Sequence, residues 1–124
     1  MAAPNIVNVT AMYGKTAYLT PANTTANIVL ANAASSGKVL RINSIVAANV
    51  DGTNAVDCTI AINSAAAGTG TSYSIASTIS VPADASLIVT DKSTGFYLEE
   101  DRSILVTSGT SSKITYTVGY EEIT

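Results

Sequence analysis

The chain contains no histidine and no tryptophan, and only one cysteine, one phenylalanine and three prolines. Without histidine it lacks the commonest general base and metal ligand, and one thiol makes neither an internal disulfide nor a thiolate metal site. No cofactor, no metal and no catalytic role are therefore expected. Charge is scarce too: six Lys/Arg and nine Asp/Glu among 124 residues make 12%, against about a quarter in ordinary soluble domains, so Ser, Thr, Asn, Ala and Gly must form most of the surface. Such a surface is expected to be covered by neighbours. The net charge of -3 argues against a phosphate-tracking nucleic-acid binder and against a polybasic membrane surface. No run approaches the roughly 20 apolar residues of a membrane span, and residues 1–9 lack the basic and apolar segments of a secretory signal. A chain made in a cytosol and soluble there is the expectation.

What remains is a β-rich composition on the scale of one domain. Hydrophobic residues make up 47%; among them 12 Ile and 11 Val stand against 6 Leu, and 17 Thr bring the β-branched total to 40. Branching at Cβ suits pleated, half-buried surfaces better than helices. Alternation then marks the strands. Ile114, Tyr116, Val118 and Tyr120 share one face, as do Val56, Cys58, Ile60 and Ile62, which makes Cys58 a core residue. Residues 39–50 place Leu40, Ile42, Val46, Ala48 and Val50 inward, with Ser44 interrupting the row. Tyr73, Ile75, Ile79 and Val81 form another face, ended by Pro82. Shorter strands are expected at residues 27–31, 87–90, 96–98 and 104–107. Asp51-Gly52 suits a tight hairpin between the strands ending near Val50 and starting near Val56. Many short strands at this spacing predict an all-β, antiparallel sandwich or jelly roll over residues 21–124, with Ile60, Ile62, Ile75, Ile79, Val89, Val106, Ile114 and Val118 in the core. Residues 1–20 are expected as an N-terminal arm or edge strands, with strand-like runs at 6–10 and 15–20 and a bend at Gly14.

Chemistry-bearing patterns are weak. Glu99-Glu100-Asp101 reads as a solvated turn, because consecutive residues on an extended chain point apart and do not share acid and base roles. Asp51, Asn54 and Asp57 offer oxygen ligands without the spacing of a calcium loop. Gly68-Thr69-Gly70 lacks the following helix of a phosphate cradle and reads as a flexible loop. The glycan-acceptor patterns at Asn8 and Asn23 read as chance without a secretory signal. The partner-binding candidates are Asn5, Ile6, Val7, Asn8, Val9 and Thr10, expected to add a strand to a neighbouring subunit through backbone hydrogen bonds.

Several segments carry a more specific signal: Ser36-Gly37-Lys38-Val39-Leu40, Asn49-Val50-Asp51-Gly52-Thr53, residues 73–82, Leu87-Ile88-Val89, Tyr97-Leu98-Glu99-Glu100-Asp101 and Tyr120-Glu121-Glu122-Ile123. Over residues 36–124 the chain resembles a group of small virion proteins of tailed bacteriophages. The resemblance implies a non-enzymatic β-sandwich subunit of the particle. Its leading form is a capsid decoration, or cement, protein on the capsid exterior that assembles as a homotrimer and bridges the major capsid protein. A neck, tail or fibre-attachment subunit is the alternative within that class, and a carbohydrate-binding module is the alternative outside it, requiring an exposed aromatic platform.

Overall fold

Between residues 27 and 123 each β-branched, alternating run forms a strand. The computed structural model describes residues 4–124; the first three residues of the expected arm lie outside the described residues. The strands are β1 (Met12–Leu19), β2 (Asn27–Asn32), β3 (Val39–Asn49), β4 (Val56–Asn63), β5 (Ser72–Val81), β6 (Ser86–Thr90), β7 (Phe96–Leu98), β8 (Arg102–Ser108) and β9 (Ile114–Ile123). Among the described residues a single 3₁₀ turn, Lys92–Thr94, precedes β7 and is capped by the Asp91 side chain.

All pairings are antiparallel. One sheet runs β1-β9-β3-β6, with β7 also on β3, and the other runs β2-β8-β4-β5. Successive strands mostly alternate between the sheets, which is the jelly-roll arrangement and the sandwich expected from composition. The core lies between the sheets: Ile42, Ile45, Tyr116 and Val118 from the first face Cys58, Ile60, Ile104 and Val106 from the second, all fully buried. Of the expected core residues, Ile60, Val106, Ile114 and Val118 are fully buried, and Ile62, Ile75 and Val89 pack partly buried against them. Ile79 is 41% exposed, because β5 is an edge strand carrying two bulges against β4. Thr78, at φ +51°, lies in one of them and donates its amide to the Thr59 hydroxyl.

Three other sequence expectations fail. In β3 the pairing with β9 steps from Ile42–Tyr120 to Ser44–Gly119, leaving Asn43 as an extra residue. That bulge inverts the alternation, so Ile45 and Ala47 point inward in place of Val46 and Ala48. The Asp51-Gly52 hairpin is absent because β3 and β4 belong to different sheets. The connection is an arch, held by Asn49 from inside and by the Asp51 carboxylate, which accepts the amides of Thr53 and Asn54. Gly14 lies within β1, not at a bend, and residues 15–19 pair continuously with β9.

Three buried asparagines close three strands and organise the chain that follows each. Asn32, at the end of β2, donates to the carbonyls of Lys38 and Leu98 and accepts from the Ser36 hydroxyl. Asn49, at the end of β3, donates to the carbonyls of Asn54, Val81 and Pro82. Asn63, at the end of β4, accepts the amides of Ala65 and Gly70 and donates to the Gly70 carbonyl and the Ser72 hydroxyl. Each replaces ladder bonds that the chain loses as it leaves its sheet.

Candidate interaction surface

The residues weighed for chemistry are occupied by structural work. Asp101, in the turn before β8, accepts the Ala66 amide, so the acidic group at 99–101 pins the β4–β5 loop. Gly68-Thr69-Gly70 lies within that loop. Asn63 holds Gly70 from both sides, and Gly68, at φ +76°, lies against Leu105 and Ile28 on the outer side of the second sheet. A Cβ at Gly68 would stand 3.3 Å from Leu105, so the loop covers that leucine by close approach. Cys58 is fully buried, and its burial pushes the thiol up from its ordinary value. Among the described residues no three His, Cys, Asp or Glu side chains group to hold a metal ion.

Exposed tyrosines are more numerous than alternation indicated: Tyr13, Tyr18, Tyr73 and Tyr97. They do not gather. Tyr13 and Tyr18 lie on opposite faces of β1, Tyr73 is on β5, and Tyr97 on β7 is engaged by the Arg41 guanidinium 5.0 Å from its ring centroid. Tyr116 and Tyr120 pack into the core as their alternation predicts. The Tyr116 hydroxyl donates to the Thr107 carbonyl at 2.8 Å; burial pushes its pKa up to about 12.

Residues 5–10 do not form a strand. The Asn5 side chain accepts the Val7 amide and the Asn5 carbonyl accepts the Asn8 amide, closing a tight turn that sequence alternation missed. The amides of Thr10 and Ala11 then meet the carbonyl of Thr124, so the turn is anchored beside the other end of the chain. Ile6 and Val7 stand on the turn with their side chains 51% and 91% exposed. These six residues are thus brought together, as an anchored apolar knob.

The outer face of the first sheet is the broadest feature that periodicity alone leaves hidden. Pairing aligns Tyr18, Thr117, Val46 and Ile88 in one row across β1, β9, β3 and β6. The adjoining rows hold Thr16, Gly119 and Ser44 on one side and Thr115, Ala48 and Ser86 on the other. No charged residue stands in these three rows. Tyr18 and Ile88 are the most exposed, at 76% and 67%.

One carboxylate gathers two cations. Glu122 receives Lys15 at 3.1 Å and Lys38 at 3.2 Å, linking β1, β9 and the chain leading into β3. Burial pushes the Glu122 carboxyl up, but the two lysines outweigh it and the net displacement is downward. Asp51 and Asp91 are also lowered, by the Thr53 and Asn54 amides and by the Ser93 hydroxyl and amide respectively. A carboxyl held lower in the folded than in the unfolded state stabilises above its unfolded pKa, about 4, and that contribution disappears as pH falls through the folded value. The urea midpoint is therefore expected to hold steady from pH 7 to about 5 and to fall below about pH 4, with a shallower fall in Glu122→Gln. An acid slope identical in the variant excludes Glu122 as a source.

No family model matches the chain, and no curated protein matches its sequence. Among solved structures it is similar to a chain of the work described as "Bacillus endospore appendages form a novel family of disulfide-linked pili", with a TM-score of 0.50 and 21% identity, covering 91% of this chain and 85% of that one. At that identity the likeness concerns the fold alone.

Proposed function

We propose that this chain is a non-enzymatic structural subunit, one of many copies in a larger particle, and specifically a bacteriophage virion protein that decorates the capsid exterior and bridges major capsid subunits. The observation that carries this reading is the uncharged outer face of the first sheet. Three rows of Thr, Ser, Gly and Ala with Tyr18, Val46 and Ile88 carry no charge to keep a free sheet surface solvated. The fold neighbour from a pilus supports a role in assembly of the same general kind. Its disulfide linkage does not carry over, since Cys58, the single cysteine, is fully buried. Cohesion here would rest on non-covalent contacts multiplied over linked copies.

In this reading the contact with the particle is made by Ile6 and Val7 on the anchored turn, with Asn5, Asn8, Val9 and Thr10 holding its shape. Removing residues 2–10 tests it, because the turn lies outside both sheets. The truncated chain should keep its unfolding midpoint within about 1 kcal/mol of the full chain and no longer be retained on purified particles. Full retention of the truncated chain overturns the role of the turn, and absence of the full chain from purified virions overturns the virion reading.

A further inference from the structure

Sheet edges offer unpaired amides and carbonyls to any passing strand, and among the described residues this fold blunts all of its long edges except one. In the second sheet, edge strand β2 carries an extra residue at Val29, between the Ile28–Leu105 and Leu30–Ile104 pairs. The other edge, β5, carries two bulges, one of them with Thr78 at positive φ. On the far side of the first sheet, β6 is five residues long and bulged at Val89, and β7 has only three residues. β1 has none of these devices. It pairs with β9 through eight consecutive residues with no shift of register, contains no proline, and is exposed over most of its length. Its one charge, Lys15, is drawn onto Glu122.

We infer that the free edge of β1 pairs with β1 of a second copy of this chain, antiparallel and about a two-fold axis at Thr16, joining the two first sheets into one. The register follows from the side chains. Directly opposed residues lie on the same face, so a two-fold must centre on a residue. Centred on Lys15, it would set two ammonium groups against each other, which is destabilising. Centred on Thr16, it sets Lys15 opposite Ala17 and Tyr13 opposite Leu19, and brings two threonines together. It also lays exposed Tyr18 over Gly14 of the other copy, and nothing stands within 4 Å of where a Cβ at Gly14 would be. An aromatic covering an edge glycine is a recognised stabilising pair. This contact is independent of the virion reading and of the turn at residues 5–10. Being isologous it closes at two copies, whereas the trimer expected from sequence needs a head-to-tail contact.

Cross-linking and mass test it on the full chain. Opposed residues at the two-fold have Cα atoms about 4.5–5.5 Å apart, within disulfide reach. Thr16→Cys should therefore give an oxidised dimer in high yield. Thr20→Cys should not, as its two copies would lie roughly 26 Å apart. Cys58 does not compete, being buried. In sedimentation the unmodified chain should reach dimer mass, and Thr16→Lys should weaken that association at least about tenfold with unchanged far-ultraviolet circular dichroism. Equal cross-linking of the two cysteine variants, a monomeric or trimeric unmodified chain, or a Thr16→Lys dimer of unaltered affinity overturns the proposal.

Discussion

Replacing Asn49 with leucine is expected to destabilise the fold by about 3–5 kcal/mol, although leucine has a similar volume and a greater preference for burial. The side chain is 3% exposed and sits where β3 leaves its sheet. Its amide nitrogen donates to the carbonyls of Val81 at 2.9 Å, Asn54 at 3.0 Å and Pro82 at 3.2 Å, and its oxygen accepts the Asp51 amide at 2.8 Å. One residue therefore ties the β3–β4 arch to the end of β5. Leucine would strip these main-chain groups of the Asn49 bonds, the Pro82 carbonyl keeping a second donor in the Ala85 amide, and each buried group left unsatisfied costs about 1–3 kcal/mol, less where water reaches it. Asn54→Ala is the control: the side chain is exposed and only its carbonyl serves Asn49, so the cost should stay under about 1 kcal/mol. A urea midpoint lowered alike in both variants would place the stabilisation elsewhere.

Asn49 also marks where sequence reading runs out. Strand positions were legible because β-branched side chains recur with period two, and Val39–Asn49, Val56–Asn63, Phe96–Leu98 and Ile114–Ile123 lie within a few residues of their predicted limits. Assignment of strands to sheets was not, since Asp51-Gly52 serves an arch as readily as a hairpin and local turn chemistry carries no information about which sheet the chain enters next. Alternation placed Asn49 outward. A signal was nevertheless present: Asn32, Asn49 and Asn63 each end an apolar run and precede a stretch rich in small residues, the position at which a side-chain amide replaces lost ladder bonds.

The candidate surface was legible only in part. Low charge announced that some face would be covered, but the row of Tyr18, Thr117, Val46 and Ile88 comes from strands far apart in sequence and exists only once register is known. The turn at Asn5 was misread because Ile6, Val7 and Val9 resemble a strand by composition, while the Asn5 side chain captures the Val7 amide and diverts the backbone.

Ile45→Ala is expected to cost about 2–4 kcal/mol and Val46→Ala under about 1 kcal/mol, the reverse of the order that uninterrupted alternation through β3 would require. Ile45 is fully buried and packs in the core between the sheets, so truncation removes its transfer energy and leaves a cavity. Val46 is half-buried on the outer face between Thr117 and Ile88, where the neighbouring side chains and water refill the space. The reversal originates at Asn43, whose extra residue shifts the phase and whose amide reaches Glu121 at 3.3 Å on the outer side. Opposite the bulge, a Cβ at Gly119 would stand 2.9 Å from the Ser44 hydroxyl, which would have to turn away. Deleting Asn43 would remove the bulge and leave Ile45, Ala47 and Asn49 facing inward, because Ser44 would then follow Ile42 directly and keep its pairing with Gly119. That variant should keep a cooperative unfolding transition, whereas equal midpoints for Ile45→Ala and Val46→Ala would show that Ile45 is not the inward residue of this stretch.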